Sequence, residues 1–315
     1  MARRTGRTTQ RSAIRVSSSA EPLTLPLGAV PIDTGTAEVV PDPDHSGRVT
    51  LHVNGVPSSY LDLADPGFLA FEYMQQMDAV LAATSPGPVR ALHLGAAGCA
   101  LARSWDAARP GSRQLAVDID ARLVTLVREW FDLPRAPRLR LRADDAAAAV
   151  AGAYPGSWDV VVRDVFAGDT TPAHLVTGQM ARHVAAALRP GGVYLVNSAD
   201  RPPLEHVRRE LATLSAAFGP DAAAQGRLAL VAESGILKGR RYGNLVLAAV
   251  APVPEPDGSD GPAERDPGNA DDAAADAVAD LRSPALARAL RVLPVPAQIV
   301  TGTELERFIG TARPC

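Results

Sequence analysis

A glycine-rich turn and two later acids follow predicted strands at intervals that suit a nucleoside ligand. Residues 94–100 read Leu-Gly-Ala-Ala-Gly-Cys-Ala, and such small side chains let the backbone approach a ligand closely or serve tight packing alone. Asp118 follows about 20 residues later, where a carboxylate can accept hydrogen bonds from both ribose hydroxyls. Asp145 follows the next strand and can meet an adenine amine or cap a helix. The predicted nucleoside-binding residues are Gly95, Ala96, Gly98, Asp118 and Asp145.

A further acid, Asp164, ends the segment from Trp158, in which three valines precede Arg163. If this segment is a buried parallel strand, its carboxyl end faces the same crevice as the glycine turn, so Asp164 lies beside the ligand. The alternative is a structural role in which Asp164 caps the turn that follows. The first interpretation makes Asp164 the candidate catalytic residue.

The elements that position these residues alternate between short apolar runs and helical patterns. This alternation predicts an α/β fold, a doubly wound, mostly parallel sheet with helices on both faces. Leu69, Tyr73, Met77 and Val80 recur at helical spacing and predict a helix that begins near Asp65. The predicted strands are 89–94, 114–118, 139–143, 158–164, 193–197, 229–231 and 244–250.

Five regions are predicted along the chain. Residues 1–24 form a disordered basic arm, residues 25–64 a small antiparallel β-domain, and residues 65–250 the nucleotide-binding domain. Val49, Leu51 and Val53 alternate with polar neighbours, and Asn54-Gly55 predicts a tight turn between two strands of the small sheet. Residues 251–272 have linker composition, and residues 273–315 form a helical tail that docks on this domain or on a partner subunit.

Charge and cysteine usage restrict the function. The net charge of −3 gives no reason to expect nucleic acid or an anionic membrane as a partner, and no run of about 18 apolar residues predicts a membrane span. The two cysteines form no C-x-x-C pattern and the six histidines are scattered, so no disulfide framework or metal site is predicted. A reducing, cytoplasmic location is the simplest expectation.

Taken in order, these elements resemble the polyamine aminopropyltransferase (spermidine synthase) family, in its spermidine synthase-like branch. The resemblance covers roughly residues 37–250, including the glycine turn, Val117-Asp118-Ile119-Asp120 and the stretch from Asp159 to Asp164. It implies a Rossmann-like sheet of the S-adenosylmethionine-dependent methyltransferase type. It also implies that Asp118 holds the ribose, that Asp145 meets the adenine, and that Asp164 deprotonates an acceptor amine. Tyr73 and Asp169 are then the candidate substrate-binding residues.

The resemblance implies no permanently bound cofactor, with decarboxylated S-adenosylmethionine or S-adenosylmethionine as co-substrate and a small-molecule amine as acceptor. The edges of the small sheet predict a homodimer or homotetramer. The chain departs from the family pattern at Gly98 and Ala167, where active members usually carry acids. Three functions therefore stay open: an aminopropyltransferase, a methyltransferase, and a catalytically weakened member that binds a nucleoside or a partner.

Overall fold

The computed structural model describes residues 14–16, 23–168, 170–254 and 280–315. Asp169 and most of the predicted basic arm and linker lie outside the described residues. Ile14–Val16 (β1) pairs antiparallel with Leu23–Leu25 (β2), so these parts of the predicted arm form a short two-stranded unit. Its aliphatic and β-branched residues favour extended backbone, which the arginine-rich composition of the arm had obscured.

The small N-terminal sheet has four antiparallel strands in sequential order. They are Val30–Ile32 (β3), Gly35–Pro41 (β4), Arg48–Val53 (β5) and Val56–Asp62 (β6). Asn54 and Gly55 join β5 to β6 with φ angles of +52° and +77°, the positive values that a two-residue hairpin turn with matching twist requires. The predicted sheet and its Asn-Gly turn are confirmed, and β3, which contains Pro31, is an additional strand.

In the described residues the large sheet has eight strands. They are Arg90–Leu94 (β7), Arg113–Asp118 (β8), Leu139–Ala143 (β9), Trp158–Arg163 (β10), Leu188–Asp200 (β11), Leu228–Glu233 (β12), Gly243–Val250 (β13) and Ala297–Thr301 (β14). Their order across the sheet is β14-β12-β13-β11-β10-β7-β8-β9. The five strands from β9 to β11 in this order pair in parallel, and β13, β12 and β14 extend the sheet by antiparallel pairing. The predicted doubly wound sheet is confirmed.

Helices cover both faces of the large sheet. In the described residues they are Glu72–Thr84 (α1), Ala100–Ala108 (α2), Ala121–Trp130 (α3), Ala146–Ala151 (α4), Gly178–Ala187 (α5), Glu205–Phe218 (α6), Ser234–Leu237 (α7), Pro284–Arg291 (α8) and Gly302–Ile309 (α9). Strand β10 shows why both faces are apolar: Val160 and Val162 belong to the core shared with the N-terminal sheet, whereas Val161 belongs to the core under α5 and α6. Successive residues of a strand point to opposite faces, so a doubly covered strand is apolar throughout.

Helix α1 begins at Glu72, so its predicted start near Asp65 is wrong. Asp65 precedes a proline, which disfavours helical backbone at that position. The guanidinium of Arg103 also donates to the carbonyl oxygens of Asp62 at 2.6 Å and Leu63 at 3.2 Å, which fixes the chain ahead of the helix. The helical spacing of apolar residues therefore begins at Leu69, ahead of the helix, and continues into it.

The C-terminal region packs on the domain of its own chain. Strand β14 pairs antiparallel with β12 at one edge of the large sheet, and the flanking Leu281, Leu286, Leu290 and Leu305 are buried. The tail contains α8 and α9 where helical patterns were predicted, and β14 is an additional strand, because it has too few residues and too mixed a pattern to be recognised without its partner strand. Its pairing covers a sheet edge that β12 would otherwise expose.

Candidate active site

A cavity of about 810 Å³ lies at the carboxyl ends of the parallel strands. It lies where the strand order reverses: β7 is followed by β8 on one side, and β10 is followed by β11 on the other. Doubly wound folds bind their ligands in this crevice. The turns after four parallel strands form one side of the cavity, and the N-terminal sheet and the start of α1 form the other. The main lining segments are residues 56–58, 71–74, 95–97, 117–119, 144–146 and 164–168.

Asp164 lies directly after β10 and is held by two neighbouring side chains. Its Oδ2 accepts a hydrogen bond from the Tyr73 hydroxyl at 2.7 Å, and its Oδ1 accepts one from the Asn197 amide nitrogen at 2.8 Å. The backbone N–H of Asp164 donates to the Leu94 carbonyl at 2.9 Å. The carboxylate is thus fixed in orientation, and each oxygen keeps acceptor capacity for a further donor.

Burial raises the pKa of Asp164 above the ordinary aspartate value, although the hydrogen bonds from Asn197 and Tyr73 and the charge of Arg163 act in the opposite direction. A carboxylate with a raised pKa is a stronger base than an ordinary one. Burial and the nearby carboxylate also raise the pKa of Tyr73 well above its usual value, so its hydroxyl stays protonated and remains a donor. The geometry suits a general base.

Asp118 lies at the end of β8, at a different wall of the cavity. The backbone N–H of Ala97, in the glycine turn, donates to its Oδ2 at 3.2 Å, and the N–H of Asp120 donates to its Oδ1 at 3.1 Å. Burial raises the pKa of Asp118, and these backbone hydrogen bonds partly offset the increase. Asp118 is therefore oriented by backbone donors on both oxygens, which suits recognition of a diol.

Asp145 caps a helix and also lies at the cavity. Its Oδ1 accepts from the backbone N–H of Ala148 at 2.9 Å and caps α4, and its Oδ2 lies 3.1 Å from His174 Nε2. Burial alone would raise the pKa of Asp145, but the Ala148 and His174 contacts lower it below the ordinary value. Asp145 also lines the cavity, so helix capping does not remove it from the site.

The glycine turn serves packing as well as ligand approach. Gly95 has a φ of +77°, and a Cβ there would lie 2.3 Å from the Asp164 carbonyl oxygen, so only glycine lets β7 turn against Asp164. Gly95 and Ala96 line the cavity, whereas Gly98 does not. The Gly98 N–H donates to Ser59 Oγ at 3.0 Å, and a Cβ on it would lie 2.8 Å from Ser59 Cβ. The prediction that Gly98 contacts the ligand is corrected: this glycine accommodates the N-terminal sheet.

Asp120 attaches the N-terminal sheet to the large domain beside the cavity. Its Oδ2 accepts from both the N–H and the hydroxyl of Thr34, at 2.7 and 2.8 Å, while its Oδ1 caps α3 through Leu123. Burial would raise the pKa of Asp120, but the hydrogen bonds from Leu123 and Thr34 lower it. This attachment places Thr34 and the β5–β6 turn over the cavity.

Several lining residues had no signal as site residues in the sequence. Asn197 lies inside β11, just beyond the residue that pairs with Arg163 of β10, and nothing in the sequence marks it as a partner of Asp164. Asn54, Tyr242 and Asn244 also line the cavity, but only the packing of separate segments brings them there. Ala167 lines the cavity and forms an isolated β-bridge with Thr170, and Asp169 lies outside the described residues.

Burial raises the pKa of Cys99 to about 12, so this thiol is neutral at physiological pH and its position in the glycine turn does not make it a nucleophile. Within the described residues, no group of three or more histidine, cysteine, aspartate or glutamate side chains could hold a metal ion. No helix in the described part of the chain is long and apolar enough to cross a membrane.

The chain is similar to a probable spermidine synthase from Corynebacterium glutamicum. That crystal structure is 32% identical, with a TM-score of 0.75, and the match covers 91% of this chain and 95% of the other. A spermidine synthase from Thermotoga maritima shares the fold at 16% identity, with a TM-score of 0.51 over 78% of this chain and 82% of the other. The chain belongs to the spermidine synthase family, as its resemblance predicted, and the fold class is confirmed.

Curated relatives match about half of the chain. A polyamine aminopropyltransferase of Chromobacterium violaceum is 28% identical over 153 residues, which are 49% of this chain and 56% of the relative. A polyamine aminopropyltransferase of Neisseria meningitidis is 27% identical over 150 residues, which are 47% of this chain and 57% of the relative. The chain thus spans just over half the length of these relatives. No family model matches the chain.

Proposed function

We propose that this chain transfers an aminopropyl group from decarboxylated S-adenosylmethionine to a small-molecule amine. The observation that carries the proposal is the Asp164 carboxylate, held by Tyr73 and Asn197 in the crevice that also contains Asp118. Membership of the spermidine synthase family supports it. In this assignment Asp118 binds the ribose, Asp145 lies at the adenine, and Tyr73 and Asp164 lie at the acceptor amine.

The charge of the cavity supports a cationic acceptor. Its described lining contains no lysine or arginine, and its acidic members are Glu72, Asp118, Asp144, Asp145 and Asp164. A crevice lined by carboxylates attracts ammonium groups and disfavours an additional carboxylate. The same feature favours the decarboxylated co-substrate over intact S-adenosylmethionine, whose carboxylate would need a positive partner.

The chemistry requires a base because an ammonium nitrogen has no free electron pair. The Asp164 carboxylate takes one proton from the acceptor, and the freed nitrogen pair attacks the methylene carbon next to the sulfonium. A carbon–nitrogen bond forms as the carbon–sulfur bond breaks, and sulfur leaves with the electron pair as neutral methylthioadenosine. Asp164 then releases its proton to solvent, which restores the base.

The test combines binding with turnover on the wild-type protein. Calorimetry with S-adenosylmethionine, its decarboxylated form and methylthioadenosine should rank the decarboxylated form above the intact one. Incubation with putrescine or spermidine should release methylthioadenosine together with the aminopropylated amine. Preference for the intact form, with methyl transfer, would instead establish a methyltransferase, and binding without either reaction would indicate a catalytically weakened member.

We also propose that the protein is a homodimer or homotetramer. Among the described residues, β3 and β6 are the unpaired edge strands of the N-terminal sheet, and Val56 on β6 is 44% exposed, so a second copy can cover an edge. Light scattering at micromolar concentration should give at least twice the monomer mass of 32.9 kDa. A monomeric mass would contradict this assembly.

The unpaired Cys99 and Cys315 support a reducing, cytoplasmic setting.

A further inference from the structure

A buried ion pair lies behind the residue proposed as the base. Arg163, the last residue of β10, is 2% exposed, and Glu210 on α6 is 3% exposed. Arg163 Nη1 lies 2.7 Å from Glu210 Oε1 and also donates to the carbonyl oxygen of Leu175 at 3.0 Å. Burial opposes charge on both groups, but their mutual attraction raises the pKa of Arg163 and lowers that of Glu210. Both groups are therefore charged.

Stability alone gives little reason for this pair. Taking two charges out of water is costly, and apolar residues of similar volume often serve a core equally well or better. The neighbours Val160, Val161 and Val162 on the same strand are all buried and apolar. Arg163 is thus a buried charge on an otherwise apolar stretch of β10, and it directly precedes Asp164.

The Arg163 side chain contacts a backbone carbonyl oxygen in the wall of the cavity. Successive strand residues point to opposite faces, so Arg163 points toward α5 and α6 while Asp164 points toward the cavity. Leu175 lines the cavity, and the neighbouring His174 contacts Asp145. By holding the Leu175 carbonyl, Arg163 fixes the short 3-10 turn from Ala173 to Leu175 that forms the cavity wall beside Asp145.

Arg163 also acts on Asp164 through charge. Its positive charge favours the ionised carboxylate, and Glu210 offsets that charge from the other side. The other titratable groups near the pair are His206, whose Nε2 lies 3.5 Å from Glu210 Oε2, Tyr194 on β11, and Cys315. Without Glu210, an uncompensated cation would remain next to the base.

We propose that Arg163 and Glu210 are positioning residues of the active site. Arg163 holds the cavity wall through Leu175, and Glu210 neutralises Arg163 so that Asp164 keeps the basicity that proton transfer needs. The catalytic part of this inference rests on the proposed aminopropyl transfer, whereas the part about the cavity wall concerns nucleoside binding alone.

Two variants separate the two roles. Glu210→Gln leaves the cation unpaired, so the acid limb of the kcat–pH profile should move to lower pH, the direction that a nearby cation produces. The double variant Arg163→Met with Glu210→Gln removes both charges, so the limb should return to its wild-type position. Its affinity for methylthioadenosine should fall about tenfold, because the Leu175 carbonyl has lost a charged donor.

Neutralising a remote pair provides the control. Arg138 and Asp106 form an ion pair at 2.8 Å, and neither lines the cavity. Arg138→Met with Asp106→Asn should leave both the pH profile and the affinity at wild-type values. Thermal unfolding of every variant shows whether it is folded, and if Glu210→Gln does not fold, the double variant alone decides.

The proposal is overturned if Glu210→Gln keeps the wild-type acid limb, or if the folded double variant keeps wild-type affinity. Failure of the proposed function looks different, because the wild-type protein itself would then bind no methylthioadenosine or release no aminopropylated amine. The affinity measurement needs no turnover, so the role of Arg163 at the cavity wall is testable even without catalysis.

Discussion

Replacing Asp164 with asparagine should lower the rate of aminopropyl transfer by about 10² to 10⁴, the usual contribution of a positioned general base. Asparagine preserves the shape of the side chain but cannot take the proton of the acceptor ammonium. The rate of the variant should rise with pH and partly recover where the acceptor amine loses its proton unaided. Steady-state kinetics from neutral to alkaline pH, measured as methylthioadenosine release, checks both expectations.

The variant should fold, because its surroundings can adapt. The Tyr73 hydroxyl can donate to the asparagine carbonyl as it does to the carboxylate. The Asn197 amide can turn over, since its buried Oδ1 has no hydrogen-bond partner among the described residues and can accept from the new amide group. Nucleoside affinity should stay within about threefold of wild type, because exchanging one oxygen for an amide group at Asp164 changes binding by well under a typical hydrogen bond.

The pH dependence of the free energy of unfolding provides a second test of Asp164→Asn. Because the pKa of Asp164 is raised in the folded state above its ordinary 3.8, the folded protein holds the proton more tightly than the unfolded chain. The wild-type free energy of unfolding therefore falls as pH rises from that ordinary value through the raised pKa. Asp164→Asn removes this contribution, so denaturant unfolding at neutral pH should find the variant at least as stable as wild type.

Tyr73→Phe is the matched control, since it keeps the carboxylate and removes one of its donors. Losing that hydrogen bond should raise the pKa of Asp164 further and move the acid limb of the kcat profile to higher pH. The plateau should stay within about tenfold of wild type, a much smaller loss than that of Asp164→Asn. Full activity of Asp164→Asn toward every amine acceptor would eliminate the proposed mechanism.

The acids of the site were predictable because each follows a strand that the sequence pattern predicts. Asp118, Asp145 and Asp164 come at or just after the ends of parallel strands, and the carboxyl ends of such strands meet at one edge of the sheet. No tertiary information is needed for that step. Local pattern therefore sufficed for the parallel core of the fold and for one wall of the cavity.

The other wall depends on contacts between distant segments. The hydrogen bonds from Thr34 to Asp120 join residues 86 positions apart, and they place the N-terminal sheet over the cavity. The fit of Gly98 against Ser59 has the same origin, which is why a residue assigned to the ligand belongs to packing. Asn197 was missed because a buried asparagine is informative only once its partner, Asp164, is known.

Loss of the proposed ribose contact should also have a large effect on binding. Asp118→Ala should weaken methylthioadenosine binding by about 1.5 to 3 kcal/mol, the range for hydrogen bonds to a charged group, which corresponds to roughly 10- to 150-fold in Kd. The reason is that Ala97 and Asp120 orient the carboxylate toward the cavity, so both ribose hydroxyls lose a preorganised acceptor. Calorimetry at neutral pH measures the loss.

The pH dependence of binding distinguishes a ribose contact from a general loss of structure. Burial raises the pKa of Asp118, so wild-type affinity should weaken as pH falls through that raised value, where the carboxylate gains a proton and ceases to accept from both hydroxyls. Asp118→Asn should bind weakly and lose this part of the pH dependence. Asp106→Ala removes a carboxylate that does not line the cavity and should bind as wild type. A folded Asp118→Ala variant with unchanged Kd would place the ribose elsewhere in the cavity, and the role proposed for Asp118 would then have to be abandoned.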